Sequence, residues 1–203
     1  MMKKRLFDLA FAAVVLVMLL PVLLALGLWV KLDSPGPVFF RQVRVGRRGA
    51  LFRIFKLRTM SDESEDHSSQ ITIGHDLRIT QSGRFLRRHK LDELPQFLNV
   101  LLGEMSVVGP RPEVPRYVAM YPPGVRDAVL SVRPGITDLA SLAYRDESSL
   151  LAQSVHPERE YVEVLMPAKL RYAVEYVQQR TMLLDLQIIW RTVVEVFAPR
   201  KST

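Results

Sequence analysis

The sequence contains no cysteine. That excludes a disulfide framework, a thiolate metal site and a cysteine nucleophile, and it suits a protein facing a reducing compartment. Histidine is scarce: four occur, at 67, 75, 89 and 156, without metal-ligand spacing, which argues against a zinc enzyme. No Gly-rich stretch has the pattern of a P-loop or dinucleotide fold. Internal repeats and low-complexity tracts are missing too. What remains is 203 residues with 48% hydrophobic and 24% charged residues, a globular composition of about one domain with an appendage.

Charge and hydropathy are unevenly placed. Leu9 to Val30 is a run of 22 residues without a charged side chain, interrupted by Pro21 and Gly27. A helix of that length is roughly 33 Å long, about the thickness of a bilayer's hydrocarbon core. It is therefore a membrane segment: a core helix seldom runs so far without a polar face. Lys3, Lys4 and Arg5 resemble the start of a signal peptide, but the apolar run is too long and no small-residue cleavage site follows.

Both flanks of the segment are basic. Residues 31 to 60 hold Lys31, Arg41, Arg44, Arg47, Arg48, Arg53, Lys56 and Arg58 against one acid, Asp33. The positive-inside tendency places both flanks on one side of the membrane. Pro21 removes a helix hydrogen bond and bends the chain. A re-entrant hairpin broken near Leu20-Pro21 and a single kinked span both fit the charge and proline pattern.

Beyond the membrane segment, Val38-Phe39-Phe40 and Leu51 to Phe55 read as short strands around the turn Gly46-Arg47-Arg48-Gly49. Residues 61 to 70 read as a solvated acidic loop. Residues 82 to 102 and 158 to 180 read as mainly helical, the latter broken near Pro167. Residues 182 to 197 place Leu183, Leu186, Trp190, Val193, Val194 and Phe197 on one helix face, which suits either a core or a membrane interface. The net charge of +7 also suits nucleic acid. The basic stretch, however, adjoins the membrane segment, where anionic lipid accounts for it at about 1 kcal/mol per residue, so no nucleic-acid partner is expected.

Candidate chemistry lies between residues 56 and 145. Lys90-Leu91-Asp92-Glu93-Leu94-Pro95-Gln96 carries an adjacent acid pair at a helix start, since proline favours the first helical turn. Most such pairs are merely solvated. Here Arg84, Arg87, Arg88 and Lys90 stand directly upstream. A carboxylate beside cations and a helix N-terminus stays ionised and can act as a nucleophile or metal ligand. Gly109-Pro110-Arg111-Pro112 stiffens the backbone around one arginine, a fork suited to phosphate. Arg133-Pro134-Gly135-Ile136-Thr137 follows the same logic, Arg145 comes 12 residues later, and Lys56 and Arg58 add cations after a strand. Together these features point to diphosphate chemistry beside a lipid.

The ordered set of signals resembles the small bacterial sugar transferases, the monotopic phosphoglycosyl transferases. It consists of the proline-interrupted apolar segment, Phe55-Lys56-Leu57-Arg58-Thr59-Met60, Leu91 to Gln96, Asn99-Val100, Gly103-Glu104-Met105-Ser106, Val108 to Pro112, and Arg133 to Thr137. The resemblance covers nearly the whole chain, and the length matches the family's minimal catalytic unit. It implies transfer of a sugar 1-phosphate from a nucleotide sugar, usually a UDP-sugar, to polyprenol phosphate, with release of UMP. It further implies Mg2+ as cofactor and a two-step route through a phosphosugar on Asp92, which would also ligate the metal, with Glu93 as dyad partner. Arg111 and Arg145 match phosphate- or nucleotide-binding positions. Lys56 and Arg58 join them, and Arg88 and Arg133 complete the substrate-binding candidates.

The resemblance favours re-entry, with Pro21 as the membrane break. The implied fold is α+β: a re-entrant helix-break-helix over residues 1–32 and a small, mainly helical cytoplasmic domain over 33–203, with a short β-hairpin and interfacial amphipathic helices. The implied location is the inner face of the bacterial cytoplasmic membrane. A homodimer is compatible with the pattern and not demanded by it. Where the family often has Ser-Pro at the break, this chain has Leu20-Pro21. Where many members continue Gly-Trp-Ala-Gln after residue 137, it has Asp138-Leu139-Ala140-Ser141. The alternative from another class is a membrane-anchored interaction protein, which would not need Asp92, Glu93 and Arg111 together.

Overall fold

A single helix of 32 residues, α1 (Met2–Asp33), opens the chain. It belongs to a computed structural model that describes residues 2–61, 76, 78–144 and 147–197. The acidic loop expected at 61 to 70 lies, apart from Ser61, outside the described residues, as does Arg145. The expected break does not appear as a gap in helical structure: α1 is helical through Pro21. Proline removes one N–H donor, but the surrounding apolar side chains offer the freed backbone no other partner, so the helical bonds on either side persist.

Two antiparallel strands follow, β1 (Phe39–Val45) and β2 (Leu51–Leu57), in register from Phe39 opposite Leu57 to Val45 opposite Leu51. Arg48 and Gly49, both at positive φ, close the turn where the sequence places it. In β2 the period of two buries Phe52 and Ile54. Lys56 is next on that face, so its ammonium is carried inward with them.

The helices α2 (Gln81–Arg88) and α3 (Gln96–Leu102) flank a 3-10 turn over Leu91–Glu93. They match the helical region expected from 82 to 102, with the acid pair in the break between them. The strand β3 (Ser106–Val108) pairs in parallel with β4 (Gly135–Thr137). Between these strands lie α4 (Pro115–Val118) and α5 (Pro123–Leu130). Beyond β4 come α6 (Leu139–Ala143), α7 (Glu147–Ala152), α8 (Pro157–Glu160), a π turn at Tyr161–Leu165, α9 (Met166–Gln179) and α10 (Met182–Phe197). The fold is α+β and mostly helical, with two small sheets.

Both limbs of α1 pack on the body of the protein. Near the N-terminus, Ala12 is fully buried in the core that holds Phe52, Phe97, Val100 and Ile188. Buried Asp8 accepts hydrogen bonds from Ser106 Oγ at 2.8 Å and Val107 N–H at 3.3 Å. Lys4 donates to Asp185 of α10 at 2.6 Å, and Arg5 donates to the Val100 carbonyl at 2.8 Å. At the other end, Leu26 and Val30 are buried against Leu57 and Leu86. There Asp33 accepts from Ser82 N–H at 2.9 Å. Between the two contacts Val17, Met18, Leu20, Val22 and Leu24 are exposed. An apolar mid-helix left uncovered while both ends are held is the property the fold gives this segment.

Candidate active site

Lys90 adopts a left-handed conformation, φ 54°, immediately before the Leu91–Glu93 turn. For a residue with a Cβ this costs roughly 1–2 kcal/mol. Strain of this kind persists where the surroundings over-determine it. The backbone reversal turns Asp92 and Glu93 inward, and both are largely buried.

Three elements converge on the pair. From β2, Lys56 Nζ donates to Glu93 Oε1 at 2.7 Å and lies 4.0 Å from Asp92 Oδ2. From the loop after β3, Arg111 Nη2 donates to Glu93 Oε1 at 2.6 Å and Nη1 to Oε2 at 3.4 Å. From α2, the cation facing Asp92 is Arg87. Its Nε donates to Thr59 Oγ1 at 2.8 Å.

The scaffold behind these groups is densely hydrogen-bonded, though among the described residues Arg44 Nε and Gln96 Nε2 are buried without a partner. Asn99 of α3, completely buried, accepts from Phe55 N–H at 2.9 Å and donates to the Arg53 carbonyl at 3.0 Å. That fixes the strand carrying Lys56 to the helix following the dyad. The Arg111 loop is held from two sides. Asp138 accepts from Arg111 N–H at 2.9 Å, and Arg44 Nη1 donates to the Pro112 carbonyl at 3.0 Å. Glu113 is in turn held by Tyr161 Oη at 2.7 Å. Gly109 and Gly135 let the two segments pass closely: a Cβ on Gly135 would meet the Gly109 nitrogen at 2.1 Å.

The two carboxylates are driven in opposite directions. Burial raises both, but Arg111 and then Lys56 hold Glu93 well below the ordinary carboxylate range. Asp92 is pushed up, chiefly by desolvation; Lys56, Arg87 and Arg111 pull it down while Glu93 pushes it further up. The Arg111 guanidinium is held protonated even more firmly than usual by Glu93. The expectation that cations keep the pair ionised therefore applies to Glu93. Asp92 makes no hydrogen bond through its carboxylate among the described residues, so its oxygens are uncommitted. The site thus holds an ion-paired glutamate beside a carboxylate whose lone pairs are available, an arrangement suited to nucleophilic attack.

Of the other expected site residues, Arg58 is placed elsewhere. Its buried guanidinium donates to the carbonyls of Val30, Ser34 and Pro35, where it caps the end of α1. Those carbonyls have no intrahelical partner, and a buried arginine satisfies several at once. Arg133 donates through Nε to the Gly103 carbonyl at 2.7 Å, bracing the end of α3. Arg88 is exposed and lies in a cleft with Lys90, Thr137 and Thr192. Pro21 sits in the exposed middle of α1.

Arg87, rather than Arg88, faces the dyad. The signal was present in helical spacing: Arg87 is four residues beyond Gly83, whose added Cβ would lie 2.1 Å from the Thr59 carbonyl oxygen. The face of α2 that touches the end of β2 therefore carries residue 87. Asn99, Arg44 and Asp138 carried no comparable local signal, because their partners are 27 to 68 residues away.

A divalent cation has a modest donor set here. Among the described residues no group of three or more acidic or histidine side chains could hold a metal by itself. Mg2+ is commonly held by one or two carboxylates together with substrate phosphates and water. The uncommitted Asp92 carboxylate meets that requirement with a diphosphate present, so the residues fit the ion as a substrate-dependent ligand set.

A family model described as bacterial sugar transferase matches residues 1–199. The chain is 39% identical, over all of its length, to a UDP-glucose:undecaprenyl-phosphate glucose-1-phosphate transferase of Klebsiella pneumoniae, of which the match covers 42%. It is 40% identical to a protein of the same name from Caulobacter vibrioides, over 95% of this chain and 68% of the relative. It is 37% identical to an exopolysaccharide production protein of Rhizobium leguminosarum bv. phaseoli, over 94% of this chain and 93% of the relative. The chain thus spans about two fifths of the Klebsiella relative and nearly the whole of the Rhizobium one.

Proposed function

The chain belongs to the bacterial sugar transferase family, and on that premise we propose that it moves a sugar 1-phosphate from a UDP-sugar to undecaprenyl phosphate. The observation that carries the reading is the division of labour in the dyad. Glu93 is neutralised by Arg111 and Lys56 at close range, while among the described residues the Asp92 carboxylate has only the longer 4.0 Å contact with Lys56. In the first step an Asp92 oxygen attacks the sugar-bearing phosphorus, the bond to the UMP oxygen breaks and UMP leaves. In the second, an oxygen of the lipid phosphate attacks the same phosphorus, the bond to Asp92 breaks and the carboxylate is restored.

The chain's own residues lower the barrier mainly by position and charge, as phosphoryl transfer requires. Lys56 bridges both acids and offsets the repulsion between Asp92 and the incoming phosphate. Arg111, stiffened by two prolines and braced by Asp138, presents its remaining donors to the diphosphate. Arg87 adds a further cation acting on Asp92. Mg2+, held by Asp92 and the donor's phosphates, would supply further charge neutralisation. Glucose 1-phosphate is the group to test first, since two relatives carry it in their names.

The proposed location is the cytoplasmic face of the inner membrane, with α1 embedded in the bilayer without crossing it. Docking of both helix ends on one body supports this, since a straight span would separate them by roughly 30 Å across the bilayer. Residues 1–32 would then be the membrane unit and 33–203 the catalytic one. The partners are a nucleotide sugar, polyprenol phosphate and membrane lipid. Purified protein with Mg2+, undecaprenyl phosphate and a UDP-sugar panel should release UMP, and Asp92→Asn should abolish release with membrane association unchanged. Turnover by Asp92→Asn would refute the nucleophile; silence of the wild type with every donor would favour a binding scaffold.

A further inference from the structure

Arg44, Glu113, Glu147, Tyr161 and Lys169 come from separate segments of the chain and meet behind the Arg111 loop, with Glu113 at the centre. Arg44 of β1 places Nη1 3.5 Å from Glu113 Oε2, and Lys169 of α9 places Nζ 3.9 Å from Oε1. Tyr161 of the π turn donates its hydroxyl to Oε1 at 2.7 Å. Lys169 reaches on to Glu147 of α7 at 3.0 Å. The side chains of Glu113 and Lys169 are 12% exposed, and Tyr161 lies in the apolar core with Tyr117, Tyr121, Val129 and Leu170. Burial raises the Glu113 pKa, but Lys169 and Arg44 bring it below the ordinary carboxylate value.

Stability is a poor reason for such a cluster. Taking charges out of water costs about as much as their attraction returns, and apolar side chains of the same volume would serve the core as well. The cost is visible at Arg44. Burial and the neighbouring Arg111 charge both disfavour its protonated form, and its Nε is buried without a partner among the described residues. In return, a buried ionic network selects one arrangement of the segments that carry it, since any other leaves a charge unpaired in the core.

The segment so fixed is the one that carries Arg111. Arg44 Nη1 also donates to the Pro112 carbonyl at 3.0 Å, and Nη2 to the Gln42 side-chain oxygen at 2.6 Å. The Glu113 carbonyl accepts from Val45 N–H at 2.9 Å. Residues 112 and 113 are thus held through both main chain and side chain. Arg111 lines one cleft with Glu113, Tyr161 and Lys169, and its guanidinium meets Glu93 at 2.6 Å. Misplacing a substrate-positioning group by about 1 Å can cost on the order of 100-fold in rate.

We infer that Glu113 is a positioning residue for the transfer: held by Arg44, Lys169 and Tyr161, it fixes the backbone after Arg111 and so places the Arg111 guanidinium against Glu93 and the donor diphosphate. The inference rests on the reaction proposed above. Glu113 makes no bond to Asp92 or Glu93 among the described residues, so it acts through Arg111. Its effect falls on the first step, in which an Asp92 oxygen bonds to the sugar-bearing phosphorus and the bond to UMP breaks.

A double-variant cycle provides the test. Full-length wild type, Glu113→Gln, Arg111→Met and the double variant are placed in phospholipid vesicles without polyprenol phosphate. Single-turnover UMP release from the UDP-sugar panel is read with enzyme in excess, and thermal unfolding gives the folded fraction for each protein. Glu113→Gln keeps the shape and can still accept from Tyr161, but it cannot balance Arg44 and Lys169. It should slow release per folded molecule by about 10-fold or more with Arg111 present, and by less than about 2-fold in the Arg111→Met background. Equal slowing in both backgrounds would show that Glu113 does not act through Arg111 and would overturn the inference. An unchanged rate with Arg111 present would overturn it as well. Should Glu113→Gln fail to fold, Tyr161→Phe takes its place in the cycle. It removes one hydrogen bond and should slow release about 3-fold, again only with Arg111 present. A wild type silent with every donor would refute the reaction itself, and the role of Glu113 with it, whereas the other adverse outcomes refute the role alone.

Discussion

Glu93 and Arg111 meet at 2.6 Å across 18 residues of sequence, and the contact sets the state of the neighbouring Asp92. A cation pair centred on Glu93 leaves Asp92 to feel its burial. Among the described residues Asp92 keeps only the longer 4.0 Å contact with Lys56, because its neighbour takes the close ion pairs. The consequences can be measured.

Glu93→Gln should cost activity and stability together. It leaves Arg111 and Lys56 facing a neutral partner, and a donor kcat/KM lower by about 100-fold is expected from loss of the ordered charges. Because Arg111 is about a third exposed, solvent screens part of the loss, and roughly 1–2 kcal/mol of unfolding free energy should go. Glu93's folded pKa is depressed, so its contribution is present above its unfolded value, about 4.3, and is lost as pH falls through the folded pKa. Denaturation of wild type and variant should therefore converge in acid; a gap that widens on acidification would contradict the assignment.

Lys56→Met should move the acid limb of donor-only UMP release to higher pH. Asp92 must be ionised to attack, and its pKa is raised, so the rate climbs as pH rises through that value. Removing Lys56 takes away a positive charge that holds the Asp92 pKa down. Single-turnover rates between about pH 4 and pH 8 read the shift. A limb that stays in place or moves down would show that Lys56 does not act on Asp92.

Arg58→Met separates a structural from a substrate role. Loss of the three carbonyl contacts should destabilise the fold by roughly 1–3 kcal/mol. The donor KM of the folded fraction should be unchanged. Intrinsic fluorescence follows the change well, since Trp29 sits one residue from the Val30 carbonyl that Arg58 holds. A donor KM raised about 10-fold at unchanged stability would return Arg58 to the substrate site.

The absence of cysteine makes topology directly testable. Single cysteines at Lys3, in the first turn of α1, and at Ala50, beyond its other end, should both react with an impermeant maleimide from the same side of the membrane. Reaction from opposite sides would show that α1 crosses.

Much of the site was legible because it is local. The acid pair in its Lys90–Gln96 frame, the proline-framed Arg111 and the turn at Arg47–Gly49 depend on neighbours a few residues away, and the structure places each where those neighbours dictate. The period of two in β2 carried Lys56 to the inward face. Arg58, Arg88 and Arg133 could not be sorted this way. Each is an arginine beside a motif, and only distant partners decide whether its guanidinium caps a helix, opens onto a cleft or braces a loop.

The sequence by itself determined the long apolar N-terminal segment, the α+β class and the family, and it singled out the adjacent acids Asp92 and Glu93, because these follow from composition, periodicity and contiguous motifs. The tertiary structure decided which acid is ion-paired, that Arg87 rather than Arg88 faces Asp92, and that α1 continues through Pro21 with both ends on one body. Those outcomes rest on desolvation and on contacts between segments as far apart as Asp8 and Ser106. Neither quantity exists until the chain has folded.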